Sequence, residues 1–479
     1  MQLKKDAVKG VKWASASQLG RQVIQYTTTI ILAALLTPSD FGVMAMAIVI
    51  IGFLDIFKDL GTAAAIIQNQ DLTEEALSSI FWVNVGFGIL VAVLVFLAAP
   101  FGAEFYNNMK VENLLKVLSI SFILSSFSIV HKKLLEKELK FDLLAKIELI
   151  SVILGAVVGI SLALLKFGVW SLVFQSLTVA FITTSLLLIV NTWKPLFFFS
   201  YGKIKPVVSY SLNLLGYNIF NYFVRNTDYL IIGKFLGERE LGHYYLAYKI
   251  MLYPLQNISL VVSRVMFPIY SKIQNDNERF KKIYTKVANA ISFLTFPLMV
   301  SVFALSDLFS ITFFNNKWDT ALLAILLMIL APVGLIQSVA TTTGSIYQAK
   351  GRTDWMFRWG AISGVIYVTG FFIGLNWGVI GVAVSYLISS LILLYPVFAI
   401  PFKLIELKFL NFSFSFKESF LISIILLIIL LSLKLIFINV LNSGILFGVL
   451  VILGLIVYAL LMKIIGANKF KELFDLFKI

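Results

Sequence analysis

The chain has 479 residues, of which 59% are hydrophobic and only 13% charged, and it carries a formal net charge of +14. An average soluble domain is about a quarter charged, so water is not the main solvent here. Cysteine is absent, which excludes disulfides and thiolate chemistry; His131 and His243, the two histidines, lie on different segments, so neither a zinc nor a haem centre is expected and no cofactor is implied.

Apolar runs long enough to cross a hydrocarbon core of about 30 Å recur along the whole length. The first, at 13–36, follows Lys4, Lys5, Lys9 and Lys12 but is too long, and carries Arg21 inside it, to read as a cleavable signal peptide. The others fall at 42–67, 77–99, 113–130, 147–165, 169–191, 207–233, 242–269, 287–305, 321–347, 358–375, 379–400, 419–438 and 445–463. The expected fold class is therefore an all-α polytopic membrane protein of about fourteen transmembrane helices. Most Lys and Arg flank these spans on one side, as in the loops 131–146 and 272–286, although the loop 68–75 is acidic. That asymmetry predicts both termini in the cytoplasm of a bacterial inner membrane and argues against a nucleic-acid partner.

The chain also resembles itself. Leu36, Asp40, Phe41, Gly42 and Ala47 recur 200 positions later as Leu236, Glu240, Leu241, Gly242 and Ala247. Phe105, Tyr106, Asn107 and Asn108 are echoed by Phe313, Phe314, Asn315 and Asn316, and Gly168 with Val169 by Gly378 with Val379. The ordered set predicts two parallel six-helix repeats, 1–200 and 201–405, followed by two extra helices and a cytoplasmic tail at 406–479. Parallel repeats place a substrate site between halves that rock in alternating access.

Charges inside apolar spans are expensive and mark a watery cavity or one another. Arg21, Lys58, Arg225, Lys249 and Arg264 are five such cations, against the three acids Asp55, Asp59 and Asp228. In the first span Ser17, Arg21, Gln25 and Thr28 share one helix face, and in the seventh Asn218, Asn221, Arg225 and Asp228 form the matching stripe. Lys58 is spaced to pair with Asp55 or Asp59, Arg225 to pair with Asp228, and Lys249 shares a face with Tyr253 and Gln256. The expected cavity is net positive, suited to phosphate oxygens. Arg21, Gln25, Lys58, Asn221, Arg225, Lys249 and Arg264 are the candidate substrate ligands, and Asp55, Asp59 and Asp228 the candidate ion-coupling carboxylates. No metal site is expected. Both histidines, beside loops, are expected to be solvated, and Trp13, Trp170, Trp193 and Trp377 to anchor span ends at the interface.

At 35–42 (LLTPSDFG), 55–61 (DIFKDLG) and 65–84 (AIIQNQDLTEEALSSIFWVN), and again at 134–141 (LLEKELKF), Ile147 with Glu148, and 167–175 (FGVWSLVFQ), the sequence resembles bacterial polysaccharide flippases. These belong to the multidrug, oligosaccharidyl-lipid and polysaccharide exporter superfamily, and the likeness is to the branch exporting colanic acid, teichuronic acid and related repeat units. The resemblance implies two six-helix lobes around a cationic cavity, an undecaprenyl-pyrophosphate-linked glycan as substrate, coupling to H+ or Na+ or to the membrane potential, a polysaccharide polymerase as a partner, and no enzymatic activity. The rival readings are a cation-coupled multidrug antiporter, a peptidoglycan lipid-precursor flippase, and a membrane polysaccharide polymerase or ligase. A basic cavity disfavours cationic drugs, and the short outer loops disfavour glycosyl chemistry. No phosphate-binding GK-Ser/Thr loop is present, which argues against ATP hydrolysis.

Overall fold

The computed structural model describes residues 20–56, 66, 72–200, 212–314 and 317–466, without the side chains of 212–218, 253–257, 260–261 and 263–265. Among the described residues there are helices and no strands. In chain order they are α1 (20–35), α2 (Pro38–Asp55), α3 (Glu74–Tyr106), α4 (Met109–Leu118), α5 (Ile120–Lys137), α6 (Phe141–Leu164), α7 (Trp170–Val190), α8 (Leu212–Phe235) and α9 (Gly237–Lys272). They continue with α10 (Asn277–Phe313), α11 (Thr320–Ala340), α12 (Gly344–Ala349), α13 (Thr353–Gly374), α14 (Gly378–Ile392), α15 (Leu394–Phe402), α16 (Phe409–Ser415), α17 (Lys417–Phe437) and α18 (Ser443–Ile464).

Ten helical stretches among the described residues are long and apolar enough to cross a membrane; one of them, Thr353–Phe402, is a hairpin of α13 with α14 and α15. This is a multi-pass membrane protein. Helices α8 and α9 fall outside the ten, and Arg225 and Lys249 are among the polar residues that lower their apolar content; the described part of α1, 20–35, is too short to be counted.

Local chemistry sets the helix ends. Thr37 caps α2 in a reciprocal box with Asp40, the Asp40 N–H donating to Thr37 Oγ1 at 3.3 Å and the Thr37 N–H to Asp40 Oδ2 at 2.9 Å, with Pro38 in the first turn. Thr73 caps α3, Asp276 caps α10 and Asp319 caps α11. Gly168 and Gly378, paired in the repeat, both adopt positive φ, +57° and +68°, just ahead of α7 and at the start of α14.

The chain packs as two compact units, Met1–Gly242 and His243–Ile479, so α8 groups with the helices that precede it. In the first unit, successive connections gather alternately at opposite ends. At one end Asn108 Nδ2 donates to Glu238, Lys110 Nζ lies 3.4 Å from Glu238 Oε1, and Gly168 sits against the Asp40 carboxylate. At the other, the N–H groups of Leu196 and Ser200 donate to Ser78 Oγ and Ser79 Oγ at 3.0 Å, and Asn191 Nδ2 donates to the His131 carbonyl at 3.2 Å.

One contact at the first end bears on the repeat. A Cβ on Gly42 would lie 1.7 Å from the Glu238 carbonyl oxygen, and a Cβ on Gly242 would lie 1.9 Å from that of Pro38. Pro38 and Glu238, like Gly42 and Gly242, are 200 positions apart. Reciprocal contact of this kind is what a two-fold relation between like segments produces, and only glycine lets the two backbones approach so closely.

Two expectations are corrected. His131 and His243 are fully buried, not solvated. His131 Nδ1 lies 3.1 Å from the Phe127 carbonyl, with its ring against Phe81 and Trp193, and His243 Nε2 accepts from the Asp319 N–H at 3.2 Å. Both lie near helix ends, but the returning chain covers them. Trp193 accordingly packs in this aromatic cluster, whereas Trp377, 70% exposed, keeps the position of an interface anchor.

In the second unit the core is aromatic. Tyr284, Phe402 and Phe412 stack within 6 Å of one another between α10, α15 and α16. Buried hydroxyls add short links, Thr295 Oγ1 to Ser338 Oγ and Ser292 Oγ to Ser419 Oγ, each at 2.9 Å. Gly374 and Gly381 let the α13–α14 hairpin close backbone to backbone. In the connection after α12, Lys350 donates to the Gln274 carbonyl and, at 2.6 Å, to Asn277 Oδ1. Burial lowers its pKa, with Glu406 acting in the opposite sense.

Candidate functional site

On α1, the Arg21 guanidinium donates to Glu148 Oε2 at 3.0 Å, and Lys132 Nζ lies 2.9 Å from Glu148 Oε1. One carboxylate on α6 thus bridges two cations, from α1 and α5. The Arg21 and Glu148 side chains are each 28% exposed, so the cluster opens onto a surface rather than being sealed in the core. The spacing of Arg21 predicted no nearby acid; its acid lies 127 positions away. Glu148 itself was the available signal, an ionisable residue next to an apolar run, opposite the basic loop of α5. Gln25, one turn beyond Arg21, is exposed. Thr28 departs from the expected stripe, being buried with its hydroxyl donating to the Ile24 carbonyl at 2.7 Å.

The face of α8 is set by its packing on α2. Tyr222 Oη donates to the Val49 carbonyl at 2.7 Å, and the rings of Tyr222 and Phe223 lie 6.1 and 5.0 Å from Phe53. Asn226 and Thr227 bond back to their own helix, Nδ2 to the Tyr222 carbonyl and Oγ1 to that of Phe223. Arg225 is exposed and has no hydrogen-bond or ion-pair partner among the described residues. Asp228 is only 2% exposed, and its Oδ1 accepts the Tyr229 N–H at 2.9 Å. The Arg225–Asp228 pair allowed by spacing is therefore not made: the helix turns the acid inward and the cation outward. Asn221 is half-buried, and Asp55, at the end of α2, is exposed.

In the second unit, Lys249 is half-buried with Nζ 5.6 Å from the centre of the Tyr245 ring, a cation–π contact. Beside it Tyr244, Tyr248 and Tyr386 stack at 5.8 and 6.0 Å, and Gln337 Nε2 donates to the Tyr386 hydroxyl. Sequence reasoning missed this tyrosine row; Tyr244, Tyr245 and Tyr248 at helical spacing beside Lys249 were its trace. Lys58 and Asp59, and the Arg264 side chain, lie outside the described residues. Among the described residues, no group of three or more His, Cys, Asp or Glu could hold a metal ion.

A second feature of this unit is an apolar groove of about 430 Å³ where α10 meets the two C-terminal helices α17 and α18, lined by Leu298, Phe309, Leu426, Phe447, Leu455 and Tyr458.

The lipopolysaccharide biosynthesis protein WzxC of Escherichia coli (strain K12) is 27% identical to this chain over 402 residues, 82% of this chain and 80% of its own length. The teichuronic acid biosynthesis protein TuaB of Bacillus subtilis (strain 168) is 30% identical over 374 residues, covering 76% and 75%. Among solved structures, the lipid II flippase MurJ in an inward closed conformation superposes with a TM-score of 0.75 over 95% of this chain and 99% of that one, at 16% identity, which is a likeness of fold. The family described as polysaccharide biosynthesis protein matches residues 31–323. That match takes in more than half of the chain, and the protein belongs to this family.

Proposed function

We propose that this protein is a flippase that moves an undecaprenyl-pyrophosphate-linked oligosaccharide from the cytoplasmic to the outer leaflet of the bacterial inner membrane. The observation that carries this reading is the charge left over on the open faces of the first unit. Arg21 and Lys132 share one carboxylate, and Arg225 has none among the described residues. Guanidinium forks suit pyrophosphate oxygens, and the names of the curated relatives favour a polysaccharide precursor over a drug or lipid II.

Fourteen crossing helices in lobes 1–200 and 201–405, with 406–479 appended and both termini cytoplasmic, rock in alternating access. The reciprocal approach of Gly42 to Glu238 and Gly242 to Pro38, and the shared positive φ of Gly168 and Gly378, support the repeat on which that motion rests. We assign the headgroup to Arg21, Gln25, Lys58, Asn221, Arg225, Lys249 and Arg264, on the pattern of charge within apolar spans. The apolar groove at α10, α17 and α18 takes part of the polyprenyl chain, whose burial is favourable by about 25 cal/mol per Å². Asp55, Asp59 or Asp228 couples the cycle to H+ or Na+, and a polysaccharide polymerase receives the product.

The test is Arg21→Gln with Arg225→Gln, scoring glycan export and membrane insertion separately. Each charged hydrogen bond is worth about 1.5–3 kcal/mol, so export should fall about tenfold or more per site while insertion is unchanged. Normal export by a well-inserted double variant would falsify the assignment. Transport in vesicles that ignores both pH and sodium gradients would remove the coupling role of the three acids.

A further inference from the structure

Beyond the transport path, the second unit holds a polar cavity of about 800 Å³ where the N-terminal turns of α10 meet the short helix α16. Its cations outnumber its acids. Arg279, Lys281, Lys282 and Lys286 line it together with Asp276 and Glu278. The two acids are already engaged: Asp276 Oδ1 accepts the Arg279 backbone N–H at 3.0 Å, and Glu278 Oε1 pairs with Lys281 at 2.6 Å. Arg279 and Lys282 are exposed, and neither side chain has an acceptor among the described residues. They stand three residues apart, on one face of α10.

Helix α16 indicates what reaches them. It presents three faces in seven residues. Phe412 is buried in the aromatic core, Asn411 and Ser415 line the cavity, and Leu410 and Phe414 project outward at 68% and 69% exposure. Residues four apart share a face, and neighbours are turned by about 100°. The cationic cavity therefore adjoins an exposed apolar ridge, an arrangement that fits the boundary between headgroups and acyl chains rather than open water. A soluble anion would use the cations and leave the ridge uncovered. A phosphate on a lipid uses both.

We propose that this cavity binds the phosphate headgroup of an anionic membrane lipid, with Arg279 and Lys282 as its ligands and the acyl chains lying along Leu410 and Phe414. The inference goes beyond the flippase reading, and its test needs no transport.

The full-length protein in neutral detergent is titrated with phosphatidylglycerol or phosphatidylethanolamine, and bound lipid is counted by native mass spectrometry. Wild type should retain phosphatidylglycerol in preference to phosphatidylethanolamine. At about 1 kcal/mol per basic residue and 1.4 kcal/mol per tenfold, Arg279→Gln with Lys282→Gln should weaken binding about 30-fold. Arg279→Lys with Lys282→Arg should restore it, and Lys403→Gln, exposed but outside the cavity, should leave it unchanged. Leu410→Ser with Phe414→Ser should weaken lipid binding without altering any affinity for inorganic phosphate. Equal retention of phosphatidylglycerol by wild type and the double Gln variant overturns the proposal. So does displacement of the lipid by inorganic phosphate at matching concentration, which would mark a site for a soluble anion.

Discussion

The crossing of α2 with the start of α9 and the charged faces of α1 and α8 are both places where the two repeats meet the same problem, and they solve it differently. At the crossing the halves match: Gly42 lies on Glu238 as Gly242 lies on Pro38. On the charged faces they diverge: Arg21 is held by Glu148 beside Lys132, while Arg225, on the corresponding helix, has no partner among the described residues. Backbone contact leaves no latitude, since any side chain at either glycine collides with a carbonyl. A cation on an open face tolerates several counter-ion arrangements, so the copies are free to specialise.

The largest expected effect breaks the matched region. Gly42→Ala and Gly242→Ala should each destabilise the protein by about 3 kcal/mol, because a methyl group placed within 2 Å of a carbonyl oxygen forces two helices apart. Both variants should show a lowered melting temperature and poor yield of monodisperse protein; wild-type melting in either one would mean that the crossing is looser than the geometry implies.

A smaller effect sharpens the contrast between the charged faces. Glu148→Leu removes the carboxylate that Arg21 and Lys132 share, which should cost about 2 kcal/mol, whereas Arg225→Leu removes no partner among the described residues and should change stability by less than about 0.5 kcal/mol. Thermal melts of the two variants side by side test this. Equal losses would show that the two faces are equivalent after all. The smallest effect concerns how α8 is aimed: Tyr222→Phe removes the hydrogen bond to the Val49 carbonyl and should cost about 1 kcal/mol, with export reduced only as far as Arg225 loses its orientation.

Much of the fold was legible because membrane helices declare themselves by length and hydropathy: the described parts of the apolar runs are helical, although the runs 113–130, 321–347 and 379–400 are each divided between two helices. The caps at Thr37, Thr73 and Asp319 were equally local. The site was legible only by face. Gln25 and Arg225 are exposed and Arg21 is part-buried, while Thr28 and Asp228 of the same stripes are buried, since a period of 3.6 residues places a residue on a face without saying how far round its neighbours extend. Glu148 escaped because pairing over 127 positions leaves no spacing to read. His131 and His243 were misjudged for a related reason: nearness to a loop in sequence does not reveal that the next connection folds back over the ring.

By itself the sequence determined the solvent, the helices, the repeat and the sign of the charge, all of which follow from composition, period and self-comparison. Tertiary structure alone decided which cation has a partner. It also brought α10 and the two C-terminal helices together around an apolar groove and set Arg279 and Lys282 beside the apolar ridge of α16. These depend on which faces of distant helices meet, and a one-dimensional pattern fixes the face of each helix but not the neighbour it turns toward.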